Sequence, residues 1–406
     1  MPRLIFVNRF FFPDHSATSQ ILSDLAFHLV EAGRTVHVIT SQQRYDDGRA
    51  VLPERETIRG VEVHRIATTR FGRKNLFGRA VDYLSFYASA RTALLQTATS
   101  GDIIIAKTDP PLLSIVAMHA ARRRRAHLVN WLQDLYPEVA ENLGVPYVGG
   151  PVAYMLRMLR DRSVRFAAMN VTVGGRMAAK VSASAGSDIA VCVIQNWTDE
   201  EQVLPVQASE NPLRASWELE NKFVVGYSGN LGRAHEFETI LGAADLLRDN
   251  SRITFLFIGG GHSFDQLARR VNELKLERMF CFMPYQDRAQ LRYSLGVPDV
   301  HLLTLRPEVE GLIVPSKFYG IAAAGRPVLA VIARDGEFAP LIENWHSGLV
   351  IEPGQPGQLA DAISRLAQDK MLRLEMGRQA RRMLEAEFTR RRAFQRWRDV
   401  FACIAN

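Results

Sequence analysis

The sequence lacks the features that identify several common classes of protein. Its 406 residues include three cysteines, which lie too far apart for a disulfide framework or a cysteine zinc site. It has no uncharged apolar run of roughly 18 residues, so we expect no transmembrane helix. The apolar stretch near the N-terminus is too short for a signal peptide and is typical of a buried strand. We therefore expect a folded protein with free thiols in the reducing cytoplasm.

Two further absences narrow the class of enzyme. No internal repeat of solenoid period occurs, which excludes the repeat architectures. No Gly-x-Gly-x-x-Gly motif follows the first predicted strand, so a Rossmann dehydrogenase is disfavoured. Gly259–Gly261 is a glycine turn after an apolar strand, but it has neither the spacing nor the acidic partner of that motif.

The sequence does contain a regular alternation of apolar strands and amphipathic helices along its whole length. Such alternation predicts parallel sheets covered by helices on both faces. We predict an α/β fold of two doubly wound Rossmann-like domains facing across a cleft, because the chain is too long for one ordinary core. The predicted domains are residues 1–200 and 201–386, with a polar linker at Asp199–Glu220 and a C-terminal helix at 387–406.

Two loops in the second half have the features of a diphosphate site. Gly226–Arg233 is a glycine-rich turn that follows the predicted strand Phe223–Val225. Val314–Lys317 contains a Pro-Ser pair at a predicted helix start, where free backbone N–H groups attract anions. We expect Ser316 to cap this helix and Lys317 to add a full positive charge. Both loops follow strands of one α/β domain, which favours a diphosphate held from two sides.

Positive charge is concentrated in arginines of the first half, and the net charge is +7. The run Arg122–Arg125 is typical of a solvated helix face. Residues 70–79 alternate basic side chains with Phe71 and Phe77, which favours contact with a membrane surface, with a substrate lid as the alternative. The basic charge also raises a nucleic-acid-binding role, but no recognised motif supports one and we expect no nucleic-acid partner.

Several stretches of the chain together resemble one family. In chain order they are Phe12–Thr18, Trp131–Glu138, Ile194–Asp199, Gly226–Arg233 and Val314–Pro327. In this combination the sequence resembles the retaining GT-B glycosyltransferases of family 4, most closely the bacterial branch that builds O-antigen, capsule and exopolysaccharide. The resemblance implies a nucleotide-sugar donor, with UDP favoured, and a polyprenyl-diphosphate-linked sugar as acceptor. It also implies that the C-terminal helix crosses back to the first domain.

The resemblance implies that the second domain binds the donor. Arg233 is similar in placement to the family's phosphate-binding residue, and Glu310 to a glutamate facing the donor sugar, with Glu308 as its alternative. Many relatives carry a lysine shortly after the loop arginine. This chain has His235 there, so Lys317 is the expected replacement. The position expected for a second glutamate is Gly320, which leaves open what holds the ribose. The predicted donor residues are Gly229, Asn230, Gly232, Arg233, Glu310, Val314, Pro315, Ser316 and Lys317.

The resemblance places the acceptor on the first domain. The first strand-to-helix loop offers hydroxyls and backbone N–H groups near a helix start, although Asp14 is almost as consistent with a helix cap and His15 with an ordinary surface histidine. Asp134 directly follows an apolar strand and fits a site, with a helix cap as the alternative; Asp109 is a weaker candidate. The predicted acceptor residues are Asp14, His15, Ser16, Thr18, Gln133 and Asp134, and the predicted catalytic residues are Arg233, Lys317, Glu310 and Asp134.

The chemistry of glycosyl transfer completes these expectations. Its transition state resembles an oxocarbenium ion, and its leaving group here is a diphosphate, which cationic residues stabilise. The resemblance implies front-face attack, with the leaving phosphate accepting the acceptor proton. No Asp-x-Asp metal motif is present, so we expect no metal requirement and no cofactor. The protein is expected to lie on the inner face of the cytoplasmic membrane. A nucleotide-sugar epimerase of the same fold is the alternative enzyme.

Overall fold

The computed structural model describes residues 1–14, 16–44, 51–72 and 76–405. The chain folds into two compact units: the first holds Met1–Gln195 and the residues from Ala393 onward, and the second holds Asn196–Arg392. His15, which carried a prediction, lies outside the described residues, as do residues 73–75 of the basic segment.

The first unit is built on one sheet, with strand order β3-β4-β2-β1-β5-β6-β7-β8 in the described residues. Its strands are β1 (Leu4–Val7), β2 (Val36–Ser41), β3 (Arg55–Ile58), β4 (Val61–Ile66), β5 (Ile103–Lys107), β6 (His127–Leu132), β7 (Met169–Thr172) and β8 (Val191–Val193). The strands pair in parallel, except that β3 pairs antiparallel with β4.

The β3–β4 hairpin departs from the predicted all-parallel arrangement. Arg59 and Gly60 join the two strands, and both have positive φ, 49° and 83°. This backbone suits the two-residue turn of a β-hairpin. Sequence reasoning missed β3 because its Arg-Glu-Thr-Ile sequence has no apolar run, as fits a partly exposed edge strand.

Helices cover both faces of this sheet. They are α1 (Ala17–Glu31), α2 (Leu76–Thr97), α3 (Leu113–Arg124), α4 (Glu138–Asn142), α5 (Gly150–Phe166) and α6 (Gly175–Ala185). The apolar face predicted for α1 is buried, at Ile21, Leu22, Leu25, Ala26 and Leu29. On the other side α3 packs against both α2 and α5, and α5 packs against α6. We call α2, α3, α5 and α6 the outer helix layer.

The second unit has a parallel sheet with strand order β11-β10-β9-β12-β13-β14 in the described residues. Its strands are β9 (Phe223–Asn230), β10 (Ile253–Gly260), β11 (Phe280–Met283), β12 (Val300–Thr304), β13 (Val328–Val331) and β14 (Gly348–Ile351). The turn predicted to begin at Gly226 is wrong in its start, because β9 continues to Asn230. The reason is close packing: a Cβ atom on Gly226 would lie 2.1 Å from Pro298, and one on Gly259 would lie 2.4 Å from the Gly229 carbonyl oxygen.

The helices of this unit are α7 (Pro212–Ser216), α8 (Glu238–Leu246), α9 (Phe264–Glu273), α10 (Leu291–Gly296), α11 (Lys317–Ala323), α12 (Ala339–Asn344), α13 (Pro356–Gln368) and α14 (Lys370–Glu387). The stretch Asp199–Glu220, predicted as a linker, includes α7 and is fixed to the unit. Its Arg214 is buried and donates to Asp299 at 3.2 Å and to the Lys222 carbonyl at 2.6 Å. A charge paired inside the core explains why a polar sequence is folded here.

The last helix, α15 (Arg390–Ala405), belongs to the first unit from Ala393 onward. Its Trp397 is fully buried against Trp131, with ring centroids 4.6 Å apart, and its Phe394 stacks on His28 at 4.2 Å. None of the helices in the described ranges is long and apolar enough to cross a membrane.

Candidate active site

Lys317 lies beside the glycine-rich turn of the second unit. It is the first residue of α11, and its Cε atom is 3.0 Å from where a Cβ atom on Gly229 would lie. Gly229 has a φ of 118°, which residues with a side chain rarely adopt. Glycine is therefore needed here for the backbone and for the space that Lys317 occupies. The two loops predicted to form a diphosphate site are in contact at this point.

His235 holds the Lys317 ammonium group in place. Lys317 Nζ lies 3.2 Å from His235 Nε2, and His235 Nδ1 lies 2.8 Å from the Thr304 carbonyl oxygen. Because a carbonyl oxygen can only accept, Nδ1 carries the proton and Nε2 accepts from Lys317. The Tyr227 ring centroid is 5.2 Å from Lys317 Nζ and 5.8 Å from the centroid of the His235 ring. We call Tyr227, Gly229, His235, Thr304 and Lys317 the Lys317 cluster.

The electrostatics of the Lys317 cluster leave a positive charge for an anion. Burial lowers the pKa of Lys317 to about 8. Burial, together with the neighbouring Lys317 charge, lowers the pKa of His235 to about 3. At neutral pH the lysine is therefore charged and the histidine neutral. Within the described residues no carboxylate forms an ion pair with Lys317, and a half-buried ammonium with a neutral partner favours an incoming anion.

The predicted donor residues of the glycine-rich turn lie at the carboxyl end of β9. Asn230 is the last residue of that strand, and its carbonyl accepts from the Tyr227 hydroxyl at 2.9 Å. Arg233 is exposed and forms no ion pair with any residue that the structure describes. The predicted donor residues of this turn therefore lie next to the Lys317 cluster; they are Gly229, Asn230, Gly232 and Arg233. Ligands of doubly wound sheets bind at this carboxyl edge of the strands.

Glu310 and Glu308 differ sharply in environment. Glu310 is buried, and its Oε2 accepts from the Glu337 backbone N–H at 3.4 Å. A Cβ atom on Gly336 would lie 2.6 Å from Glu310 Oε1, so the carboxylate rests against the loop after β13. Glu308 is exposed. A carboxylate held by backbone is better positioned than an exposed one, which favours Glu310 of the two alternatives.

The Pro-Ser pair is arranged differently from the prediction. Ser316 has helical backbone angles (φ −65°, ψ −17°), and its side chain does not cap α11. Because α11 is only seven residues long, we assign no anion site to its N-terminus. Val314 and Pro315 are buried and pack in the unit. Gly320 lies within α11 and brings no side chain to the site, as predicted from the sequence.

In the first unit, Asp14 accepts hydrogen bonds from residues at the start of α1. It is buried, and its Oδ1 accepts from the Ser16 backbone N–H at 2.8 Å, while its carbonyl accepts from Ser19 Oγ at 3.1 Å. These bonds hold the loop before α1, whose N-cap residue is Ser16, so Asp14 has a structural role here without capping the helix. Ser16 Oγ is shielded from solvent and has no hydrogen-bond partner among the described residues. Thr18 is partly exposed, and its carbonyl accepts from Lys107 Nζ at 2.7 Å.

Lys107 and Asp134 lie at the carboxyl ends of the neighbouring strands β5 and β6. Burial lowers the pKa of Lys107 to about 7, and the carboxylates of Asp109 and Asp134 oppose this shift. Burial and the Asp109 charge raise the pKa of Asp134 to about 6, with Lys107 opposing. A cavity of about 20 Å³ between Lys107, Asp134 and Arg160 has room for about one water molecule. Gln133, the residue before Asp134, is buried, and its backbone N–H donates to Thr108 Oγ1 at 3.3 Å.

Sequence reasoning missed Arg9, which lies two positions after the end of β1. Arg9 is buried, lies 3.4 Å from Gln43 Oε1 and 3.9 Å from Asp82 Oδ2, and stacks near the Tyr83 ring at 5.2 Å. The signal was available, because a charged residue two positions after an apolar strand is the same pattern that singled out Asp134. The role of His235 as the partner of Lys317 was also missed, since residues 82 positions apart give no local pattern.

Two family models match the chain. The "Glycosyl transferases group 1" model matches residues 209–383, and the "Glycosyl transferase 4-like domain" model matches residues 17–197. Together they span most of both units. The chain belongs to the family 4-like glycosyltransferases. The predicted family, and the prediction that the protein is a transferase, are therefore confirmed.

Curated relatives of this glycosyltransferase include bacterial proteins. It is 29% identical over 296 residues to the probable glycosyltransferase WbjE of Pseudomonas aeruginosa, which covers 72% of each chain. It is 29% identical over 166 residues to the putative colanic acid biosynthesis glycosyl transferase WcaI of Escherichia coli K12, which covers 40% of each.

Solved structures confirm the predicted fold class, two Rossmann-like units of the GT-B type. Sucrose-phosphate synthase from Thermosynechococcus elongatus has a TM-score of 0.80 at 16% identity, covering 99% of this glycosyltransferase and 100% of that chain. Anabaena HepE in complex with UDP-glucose has a TM-score of 0.74 at 16% identity, covering 99% and 100%. At these identities the likeness shows the fold alone.

Proposed function

We propose that this glycosyltransferase moves a sugar, with retention, from a UDP-sugar to a lipid-linked saccharide in bacterial surface polysaccharide synthesis. The observation that carries the donor half of the proposal is the Lys317 cluster, a half-buried ammonium group with a neutral partner at the carboxyl end of β9. The name of WcaI, a putative colanic acid biosynthesis glycosyl transferase, supports the pathway class, and the UDP-glucose complex of HepE supports the donor class.

In this proposal the donor diphosphate binds to Lys317 and Arg233. Their charges stabilise the negative charge that develops on the diphosphate as the bond from the anomeric carbon to the phosphate oxygen breaks. The acceptor hydroxyl attacks the same face of the sugar, and its proton passes to the departing phosphate oxygen. Glu310, held by the Glu337 N–H, orients the sugar hydroxyls. The products are the glycoside and the nucleoside diphosphate.

The acceptor half of the proposal is built on the first unit. Asp134 has a pKa of about 6 and a partly exposed side chain, so at neutral pH its carboxylate can accept from an acceptor hydroxyl. Ser16 Oγ, Thr18 and Gln133 line the same edge of the sheet, since they follow β1 and β6. We expect a peripheral location on the inner membrane face. Metal independence stays a prediction, which an undiminished rate in excess EDTA would support.

A panel of nucleoside diphosphates tests the donor half by thermal stabilisation. We expect UDP to raise the unfolding temperature of the wild type, while Lys317→Met and Arg233→Ala reduce the rise. An equal rise in the Lys317→Met protein would contradict the assignment of the diphosphate to this cluster. The acceptor half is tested with radiolabelled UDP-sugars and a bacterial lipid extract: label should enter the lipid fraction. Conversion of the donor to an epimer without acceptor would support the epimerase alternative instead.

A further inference from the structure

The N-terminal half of α5 exposes an unusual set of apolar side chains. Tyr154 is 62% exposed, Met158 50%, Met155 49% and Val152 45%, and Tyr147 just before the helix is 90% exposed. Pairs among these residues are three or four positions apart on α5, so they are neighbours on its surface. Single exposed apolar residues are ordinary, but a contiguous set marks a surface that another phase or molecule covers.

The outer helix layer around this patch presents basic groups and no exposed carboxylate. Within α2, α3, α5 and α6 the only acidic residues are Asp82 and Asp161, and both are buried. Asp161 accepts from Arg160 at 2.6 Å and from Ser184 at 2.7 Å. The same four helices carry eleven basic residues: Arg79, Arg91, Arg122, Arg123, Arg124, Arg157, Arg160, Arg162, Arg165, Arg176 and Lys180.

Some of these arginines are neutralised by the short helix α4. Arg157 pairs with Glu138 and Glu141, and Arg160 pairs with Glu138. The remaining charge is concentrated at the C-terminal ends of α3 and α5. There Arg162 and Arg165 are exposed, and Arg122 lies 5.6 Å from the ring centroid of the partly exposed Phe166. The outward surface of α5 thus changes from apolar to basic along its length.

Apolar residues of α2 extend the same surface. Phe77 is 82% exposed and Leu84 65%, and they lie two helical turns apart on one face. Phe71, which lies before the start of α2, is also exposed. Its backbone N–H donates to the Asp82 carboxylate at 3.0 Å, and the backbone N–H of Gly72 donates to the same carboxylate at 2.9 Å. Asp82, itself buried, therefore fixes this part of the basic segment to α2.

Sheet geometry relates this surface to the acceptor residues of the first unit. The helices that connect parallel strands run opposite to those strands, so the N-terminal halves of α2 and α5 lie toward the carboxyl ends of the strands. Thr18 and Asp134 lie at that edge too, because they follow β1 and β6. The apolar patches therefore lie toward the edge at which an acceptor would bind.

We propose that the outer helix layer is a peripheral membrane-binding surface for an anionic bilayer. Tyr154, Met155 and Met158 enter the interface between headgroups and acyl chains, and Arg162, Arg165 and the α3 arginines contact lipid phosphates. These four helices expose basic side chains and no carboxylate. Such a surface is electrostatically complementary to an anionic bilayer, more than to a protein partner whose surface carries charges of both signs. The inference rests on the proposed function only for the lipid-linked nature of the acceptor.

Vesicle co-sedimentation of the full chain tests the proposal. Wild-type protein should bind vesicles of mixed phosphatidylglycerol and phosphatidylcholine, and bind phosphatidylcholine alone far less. Tyr154→Ser/Met155→Ser/Met158→Ser should weaken binding at least about tenfold, since each side chain loses apolar burial. Arg162→Gln/Arg165→Gln should weaken vesicle binding about fivefold for each arginine removed. Raised salt should also weaken vesicle binding of the wild-type protein, because it screens the attraction to the lipid phosphates.

Matched controls come from the second unit. Leu246 and Met371 are 63% and 68% exposed, so Leu246→Ser/Met371→Ser removes similar exposed apolar area elsewhere. Arg269, also exposed, gives Arg269→Gln as the charge control. Both controls should bind vesicles like the wild type. Equal vesicle binding by the triple serine variant and the wild type would overturn the proposal.

Two further readouts separate the possible failures. If wild-type protein dimerises without lipid and the triple variant is monomeric, the surface binds a second copy of this chain and the membrane proposal is overturned. UDP-dependent thermal stabilisation of the triple variant shows that it is folded and that its donor site is intact. Vesicle binding without any UDP response in the wild type would support the membrane surface while contradicting the proposed function.

Discussion

Among the lysines that the structure describes, one in each unit has a pKa lowered by burial: Lys107 in the first unit and Lys317 in the second. The two have opposite surroundings. Lys107 donates to the Thr18 carbonyl, lies 4.2 Å from the Trp131 ring centroid, and has the carboxylates of Asp109 and Asp134 nearby. Lys317 lies near the Tyr227 ring and donates to the neutral His235, with no carboxylate paired to it in the described chain. The charge of Lys107 is therefore balanced within the protein, and that of Lys317 is not.

This difference indicates different roles for the same residue type. A buried charge that its own fold balances stabilises local structure, here the joining of β5 to the start of α1. A buried charge held by a neutral hydrogen-bond acceptor keeps its electrostatic attraction for a ligand. Lys107 is thus expected to matter most for stability and the acceptor edge, and Lys317 for donor affinity.

The largest expected effect is that of Lys317→Met on donor binding. Loss of a hydrogen-bonded charge is worth about 1.5–3 kcal/mol, so UDP affinity should fall about 10- to 150-fold. Titration calorimetry with UDP measures this loss, and Lys370→Met, at an exposed lysine of the same unit, is the control. Unchanged UDP affinity in the Lys317→Met protein would remove the contrast between the two lysines.

Lys107→Met should act on stability instead. It leaves two carboxylates without their compensating charge, which should lower the free energy of unfolding by about 3 kcal/mol at about pH 6.5, where Lys107 is still mostly charged and Asp134 mostly ionised. The pKa of Asp134, already raised to about 6, should rise further. An acid whose folded pKa is raised destabilises the fold as pH increases from its unfolded pKa through the folded one. The destabilisation should therefore shrink at about pH 5, where Asp134 is protonated.

Urea unfolding at both pH values measures this effect, and UDP binding serves as the second readout. The Lys107→Met protein should keep wild-type UDP affinity, because the proposed donor residues lie in the other unit. A loss of UDP affinity comparable to that of Lys317→Met, without loss of stability, would reverse the assigned roles.

Most of the fold could be predicted from the sequence, because the apolar pattern that identifies a strand or a helix lies within that element. Runs such as Leu4–Val7 and the α1 face carry the apolar periods of strand and helix directly. The antiparallel β3 was missed because an exposed edge strand needs no apolar run. The prediction that Asp199–Glu220 is a linker was wrong, because Arg214 is held in the core by Asp299. That partner is 85 residues away, so the sequence around Arg214 does not indicate it. The candidate site residues were chosen where a charge follows a strand, as at Asp134, and they stay predictions. The Lys317–His235 contact joins positions 82 residues apart, so no local sequence pattern predicts it.

The charge state of Lys317 gives a pH test of the comparison. With a pKa of about 8, Lys317 loses its charge as pH rises through that value, and the diphosphate is already ionised there. UDP affinity should fall with pH above about 8, by at most about tenfold per unit. The Lys317→Met protein should lack this slope. Calorimetry between about pH 7 and about pH 9.5 measures it; parallel slopes in both proteins would assign the titration elsewhere.

His235→Phe should weaken UDP binding by about tenfold, a smaller effect than loss of Lys317 itself. Phenylalanine keeps the ring near Tyr227 but removes the acceptor for Lys317 and the donor for the Thr304 carbonyl, each worth about 0.7 kcal/mol. A double-mutant cycle with Lys317→Met checks whether the histidine acts through the lysine. In that case the double variant should bind UDP as the Lys317→Met protein does. Additive losses would show that His235 acts independently.

The smallest expected effect is that of Gly229→Ala, which separates backbone strain from displacement of the lysine. The new Cβ atom would lie 3.0 Å from Lys317 Cε at a backbone φ of 118°. Gly354→Ala is the matched control, because it has a φ of 85° and nothing within 4 Å of the new Cβ. Both variants should lose about 1 kcal/mol of stability through the left-handed backbone. Only Gly229→Ala should also lower UDP affinity, by about threefold, since the lysine must shift away from His235. If the two variants bind UDP equally well, the flexible lysine adapts without loss, and Gly229 is required for its backbone alone.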